Sequence, residues 1–191
     1  MIVLSQAVKN NRHGRARVLN QDQIALLFAE LNKKPRDACL FAICFFTACR
    51  ISEALHLETT DILDETITLR KATTKGKLKT RTINIHRFLK PYLENYQPKK
   101  AGALFPGQIG RNRYLSLATA DRILRSACER IGLKGVSTHT FRRSALSFMS
   151  SNGTPLREIQ EISGHNDLGT LQRYLEVTPE QAKKAVNSIW L

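Results

Sequence analysis

A mostly helical domain carrying a small three-stranded antiparallel β-sheet (α+β) is the fold class this sequence predicts. Three observations predict it. Apolar residues recur at helical spacing over most of the chain. Two short stretches near the middle alternate apolar and polar residues instead. Asparagine, glycine and proline stand where helix caps and stops belong. A length of 191 residues suits one domain with a real core.

The elements follow in order. Lys9 to Arg17 is short, basic and without apolar periodicity, and reads as an N-terminal arm over residues 1–17 or as a frayed terminus. Asn20 can cap a helix through Leu31, with Ile24, Leu27, Phe28 and Leu31 on one face. Asp37 opens a more apolar segment through Leu57, and its Ala-Cys-Leu-Phe-Ala-Ile-Cys-Phe-Phe run predicts a central helix buried nearly all round. Ile62-Leu63 begins the sheet. Thr66 to Arg70 and Thr80 to Ile85 alternate like half-buried strands, with Lys75-Gly76-Lys77 as the turn between them. Helical spacing returns at Phe88 to Tyr96, Ala118 to Ile131, Thr140 to Ser151, Pro155 to Ser163, Leu168 to Leu175 and Pro179 to Ile189. Asn152-Gly153 stops one of these helices, and Thr154-Pro155 and Thr178-Pro179 start others.

Charge narrows the partner. Lys and Arg number 30 against 16 Asp and Glu, a formal net charge of +14, which favours a polyanion and nucleic acid first; the plainer alternative is a basic soluble protein. Cys39, Cys44, Cys49 and Cys128 form no Cys-x-x-Cys pair and read as reduced core residues rather than a disulfide scaffold or a zinc site. The N-terminus has no signal pattern, and no window reaches the roughly 18 apolar residues of a membrane span, so a cytoplasmic protein is expected.

The chemistry concentrates between residues 139 and 174. His139 and Arg142, three apart on a helix, share a face, so an imidazole and a guanidinium can converge on one anion. Gly164-His165 and Tyr174 follow. A phenol is a poor nucleophile at neutral pH unless cations make its target electrophilic, which such a cluster would do. Taken singly, His139 reads as well as a helix-capping residue and Tyr174 as a core phenol. In the first half, Arg50 ends an apolar run. A buried cation needs a strong partner, either Glu53 three residues on or a phosphate.

Together these residues resemble the tyrosine recombinases, also called the phage integrase family. Thr47-Ala-Cys-Arg50-Ile-Ser-Glu53-Ala-Leu resembles the first box of that family, and His139-Thr-Phe-Arg142 with Ser144 the second. Gly164-His165 followed by Tyr174 resembles its end, and Lys75-Gly76 matches the family's hairpin lysine. The resemblance covers about Val18 to Thr178, and four boxes in the right order make chance agreement unconvincing.

The resemblance implies the catalytic-domain fold of the tyrosine recombinases over residues 18–178 and a site-specific recombinase or integrase acting on double-stranded DNA. Tyr174 would attack the scissile phosphate, forming a 3′-phosphotyrosyl bond and releasing a 5′-hydroxyl. Arg50 and Arg142 would hold the non-bridging oxygens, and His165 would donate a further hydrogen bond. His139 would assist proton movement at the tyrosine oxygen. Lys75 would be the general acid for the leaving oxygen. Glu53 would orient Arg50. Lys77, Lys79, Arg81 and Arg143 would touch the DNA backbone. No metal, ATP or other cofactor is implied. The rivals are a DNA-binding regulator that retains the fold and a type IB topoisomerase-like enzyme.

Several positions depart from the family pattern. Ala48-Cys49 replace the usual glycine and aliphatic residue, Arg143 stands where many members carry histidine, and Ser163 where many carry leucine. None of these removes a catalytic group, so an active enzyme is expected. Residues 1–17 stand where most members carry a helical core-binding domain, whose absence fits a naturally short recombinase, a fragment, or a reduced clamp. The tail, residues 179–191, is amphipathic through Ala182, Ala185, Val186, Ile189 and Trp190, and would dock on a neighbouring protomer or on its own domain. A monomer in solution and a tetramer on DNA are expected, with no membrane partner.

Overall fold

Asn20 closes the first helix with a reciprocal cap. Gln23 N–H donates to its side chain at 2.9 Å and its own N–H donates to Gln23 Oε1 at 3.2 Å, starting α1 (Gln21–Leu31). The computed structural model describes residues 16–70, 80–98, 100–107, 113–172 and 179–189. Pro35 sits at the first position of α2 (Pro35–Phe46), where its missing N–H costs nothing, and every residue from Asp37 to Cys44 is buried. This is the all-round-buried central helix that the apolar run predicts. It stops at Thr47, however, and the segment through Leu57 continues as a separate short α3 (Ile51–Leu55).

After a 3-10 turn at Thr59–Asp61 come β1 (Ile62–Leu63), β2 (Thr66–Leu69) and β3 (Arg81–Asn84), antiparallel in the order β1-β2-β3. The register sets Ile67 opposite Ile83 and Leu69 opposite Arg81. Ile67 and Leu69 are fully buried, so the period-two alternation turns Arg81 and Ile83 inward with them.

The remaining helices are α4 (Lys90–Asn95), α5 (Leu117–Arg130), α6 (Thr138–Ser151), α7 (Leu156–Ser163), α8 (Leu168–Gln172) and α9 (Pro179–Asn187). The helix expected from Phe88 begins only at Lys90. Residues 86–89 form a turn that buries Leu89 and leaves Phe88 exposed.

One core joins α1, α2, α5 and the inner sheet face. Phe141 of α6 enters it, stacked on Phe41 at 5.1 Å and 20° and tilted on Phe28 at 5.8 Å. These aromatic contacts fix α6 against α2. A smaller cluster of Ala48, Ala145, Leu146, Ile159 and Leu171 joins the end of α2 to α6, α7 and α8. The cysteines are free and buried, and burial lifts the Cys39 and Cys128 thiols to about 12 and about 11. Among the described residues, no helix is long and apolar enough to cross a membrane.

The start of the described chain is docked rather than loose. Arg17 N–H donates to Gly135 O at 3.4 Å, and Leu19 N–H to the buried Ser144 Oγ at 2.9 Å. Ala16 and Arg17, the last residues of the arm expected over 1–17, pair with the domain.

Candidate active site

Arg50 is positioned by the way α2 ends. Thr47 Oγ1 donates back to Ile43 O at 2.7 Å and accepts from Cys49 N–H at 3.3 Å. Between them Ala48 adopts φ +49°, a left-handed conformation that turns the chain sharply, and Arg50 emerges as the N-cap of α3. Its Nη1 is buried and has no hydrogen-bond partner among the described residues.

Arg142 and His139 come from the first turns of α6. Phe141 points into the core, so Arg142, one residue on, is carried to the end of α2, where its Nη1 donates to Ala48 O at 2.6 Å. It is only 2% exposed, and burial, then the nearby Arg50, pulls its pKa down to about 10. His139 is exposed at the rim. Partial desolvation, then Arg142 and Arg50, lower its pKa.

His165 follows the end of α7. Gly164 closes that helix at φ +69°, and a Cβ there would meet Arg81 Nη1 at 2.9 Å, so both backbone and space demand glycine. His165 is buried. Its ring lies beside Arg142 Nη2, at 3.3 Å from Nδ1 and 3.1 Å from Nε2. Burial, then Arg142, Arg50 and Arg81, depresses its pKa to about 4, which makes it a neutral imidazole at physiological pH. Ser163 Oγ contacts Nδ1 at 2.7 Å, and Gln160 Nε2 donates to the His165 carbonyl at 2.9 Å.

Glu53, expected to orient Arg50, accepts the Arg50 backbone N–H at 2.6 Å, while the guanidinium it pairs with belongs to Arg81. Arg81, expected at the DNA backbone, has a side chain 10% exposed that grips Glu53 through Nη1 and Nη2 and donates from Nε to Ile162 O at 2.9 Å. Burial works to raise the Glu53 pKa, but the Arg81 hydrogen bond and charge outweigh it and hold the carboxyl below its usual range. Arg143, the other arginine expected at the DNA backbone, is buried, and its Nη1 donates to Ala16 O. Lys75, Lys77, Lys79 and Tyr174 lie outside the described residues.

Arg50, His139, Arg142 and His165 are thus brought together from three places in the chain. Sequence reasoning missed Ser163 and Gln160 as partners of His165, and no spacing rule would have found them. The inward Arg81 was findable, since it alternates in phase with Ile83 and Ile85. A cavity of about 270 Å³ borders His165, Arg81 and Thr80. A larger one, about 510 Å³ between α1, α2 and α5, shares no residue with the site.

Two arginines paired with no carboxylate among the described residues, beside a neutral histidine on a helical domain with a small sheet, form a buried basic cluster of the kind that could hold an anion. The chain belongs to the phage integrase family, whose sequence model matches residues 17–181. The tyrosine recombinase XerC of Treponema denticola is 32% identical over 164 residues, covering 76% of this chain and 53% of that protein. The catalytic domain of bacteriophage HP1 integrase superposes with a TM-score of 0.69 at 28% identity, over 91% of this chain and 95% of that one. The crystal structure of XerA recombinase matches at a TM-score of 0.76 and 19% identity, over 92% of this chain and 66% of that chain, a likeness of fold. This chain spans about half the length of the curated recombinases it matches in sequence, 53% and 55% in two of them.

Proposed function

We propose that this chain is the catalytic part of a site-specific DNA recombinase or integrase that cleaves and rejoins duplex DNA through a 3′-phosphotyrosyl intermediate. The observation that carries the reading is the buried Arg50 Nη1 with no hydrogen-bond partner among the described residues, beside buried Arg142 and His165. A buried guanidinium nitrogen left unpaired costs stability, and a phosphate oxygen is the partner that would satisfy it.

In this reading the Tyr174 oxygen attacks the scissile phosphorus and the bond to the 5′-oxygen breaks. The phenol proton passes to His139, whose depressed pKa keeps it a neutral acceptor, and Lys75 protonates the leaving oxygen. Arg50 and Arg142 neutralise the charge that grows on the non-bridging oxygens, with His165 as a further donor. Rejoining is the same exchange reversed, with the 5′-hydroxyl as nucleophile. The net charge of +14 favours the DNA polyanion. Assembly of four copies on DNA through the tail is part of the proposal, and exposed Val186 and Ile189 on that segment support it.

The test is selection, from a library of nicked duplexes, of sites that become covalently attached to the protein. Wild type should yield a denaturant-resistant adduct that Tyr174→Phe abolishes; an adduct unchanged in Tyr174→Phe would overturn the nucleophile. Binding without any cleavage would favour a regulator, and relaxation of plasmid without site preference a topoisomerase-like enzyme.

A further inference from the structure

We infer that Gln160 is a positioning residue for the proposed cleavage: its side-chain amide, held at one end by Arg157, holds the His165 carbonyl at the other and so helps keep the imidazole beside Arg142. The inference rests on the proposed role of His165 as a phosphate ligand.

Gln160 stands midway along α7, five residues before His165, and is buried. Its two partners fix which way the amide points. Arg157 Nη1, 2.7 Å from Oε1, can only donate, and the His165 carbonyl, 2.9 Å from Nε2, can only accept. One orientation of the amide satisfies both, and a flip would set donor against donor and acceptor against acceptor. The backbone of the same residue adds another bond, since Gln160 O accepts the Gly164 N–H at 2.8 Å.

These bonds matter because of what they span. Gly164, at φ +69°, turns with little steric resistance, and His165 comes directly after it. The ring's place is therefore set by contacts on either side of the glycine rather than by the glycine itself. Before it, Arg81 Nε donates to Ile162 O at 2.9 Å; after it, the Gln160 amide takes the His165 carbonyl. With both in place the ring lies 3.1 Å from Arg142 Nη2 of α6. The amide bonds to the His165 backbone, not to its ring, so it acts on where the imidazole stands.

The experiment uses full-chain variants on a duplex site captured by the selection described above. Gln160→Glu keeps the shape and the attraction to Arg157 but removes the N–H donor, while Gln160→Leu removes both bonds. The side chain lines the cavity of about 270 Å³, which leaves room for water around the new carboxylate. Each variant should lower single-turnover cleavage at saturating DNA about tenfold, with DNA affinity held within about twofold. In a His165→Gln background the same substitutions should cost less than about twofold more, because the residue they position is gone. A general loss of structure would instead multiply the two effects. Multiplied losses, or wild-type cleavage by Gln160→Glu, overturn the inference. In the DNA-free chain, the ¹⁵N-labelled ring signals of His165, identified by their loss in His165→Gln, should move in Gln160→Leu, and an unmoved ring overturns the inference as well. Wild-type cleavage by His165→Gln would instead overturn the phosphate role of His165, a failure distinct from these.

Discussion

Glu53 and Arg81 form a two-pronged ion pair in the protein interior, with Nη1 to Oε1 at 2.6 Å, Nη2 to Oε2 at 3.2 Å, and side chains 1% and 10% exposed. The pair joins three segments. Glu53 also accepts the Arg50 N–H, and Arg81 also donates to Ile162 O, one residue before Ser163. One carboxylate thus ties β3 to the loop carrying Arg50 and to the turn carrying His165.

Breaking this pair from one side leaves a buried charge unmatched. Arg81→Ala and Glu53→Ala are each expected to cost about 3–5 kcal/mol in urea unfolding. Arg81→Lys should recover little, because an ammonium cannot span both carboxylate oxygens and Ile162 O together. A loss below about 1 kcal/mol in either alanine variant would refute the tie.

Removing Arg50 should separate function from stability. Arg50→Met takes away a guanidinium whose Nη1 is buried without a partner, so the DNA-free protein is expected to keep or gain thermal stability. Single-turnover cleavage should drop by about 10²- to 10³-fold, the usual loss for one transition-state donor. A marked fall in melting temperature would show that Arg50 is satisfied within the protein.

Acid should weaken the DNA-free protein through His165. Its pKa is depressed from 6.5 to about 4, so between those values the unfolded chain binds the extra proton more readily than the folded one. Its contribution is complete above about pH 6.5 and is lost as pH falls toward about 4. Glu53, also depressed, adds a loss that begins only below its ordinary 4.5. Unfolding free energies measured from pH 7 to 4 should fall less steeply for His165→Gln; identical slopes would remove the histidine from the balance.

Ala48 occupies a left-handed backbone position that glycine adopts without strain. Ala48→Gly should relieve about 1–2 kcal/mol. Losing a buried methyl, about 0.8 kcal/mol, and the greater freedom of unfolded glycine offset most of this. Chemical denaturation should show a net change within about 1 kcal/mol. Ala48→Val, adding a branched side chain at a fully buried site, should destabilise by more than about 2 kcal/mol.

The tail prediction concerns assembly alone. Val186 and Ile189 are 66% and 72% exposed, so Val186→Ser with Ile189→Ser should leave folding and single-site cleavage intact while lowering the mass of the complex formed on DNA. An unchanged complex would show that the tail does not join protomers.

The fold was largely legible because its signals are local. The Asn20 cap, Pro35, the Asn152-Gly153 stop and the apolar periods each act within one or two turns of chain, and the structure places helices accordingly. The break after Phe46 was harder to see. Ala48 has no intrinsic preference for φ +49°, and the turn forms because Arg142, 94 residues away, holds its carbonyl.

What the sequence by itself determined is the inventory and its order: two arginine boxes, a Lys-Gly pair, a Gly-His pair and a tyrosine on a basic, mostly helical chain. Residue types and short-range spacing carry that information. Only the tertiary structure decided which arginine meets which partner. Glu53 lies beside Arg50 in sequence yet pairs with Arg81, because β3 presents Arg81 on the buried sheet face, where an unpaired cation is too costly to leave. Arg50 is thereby left without a carboxylate partner among the described residues, its Nη1 buried and unpaired there.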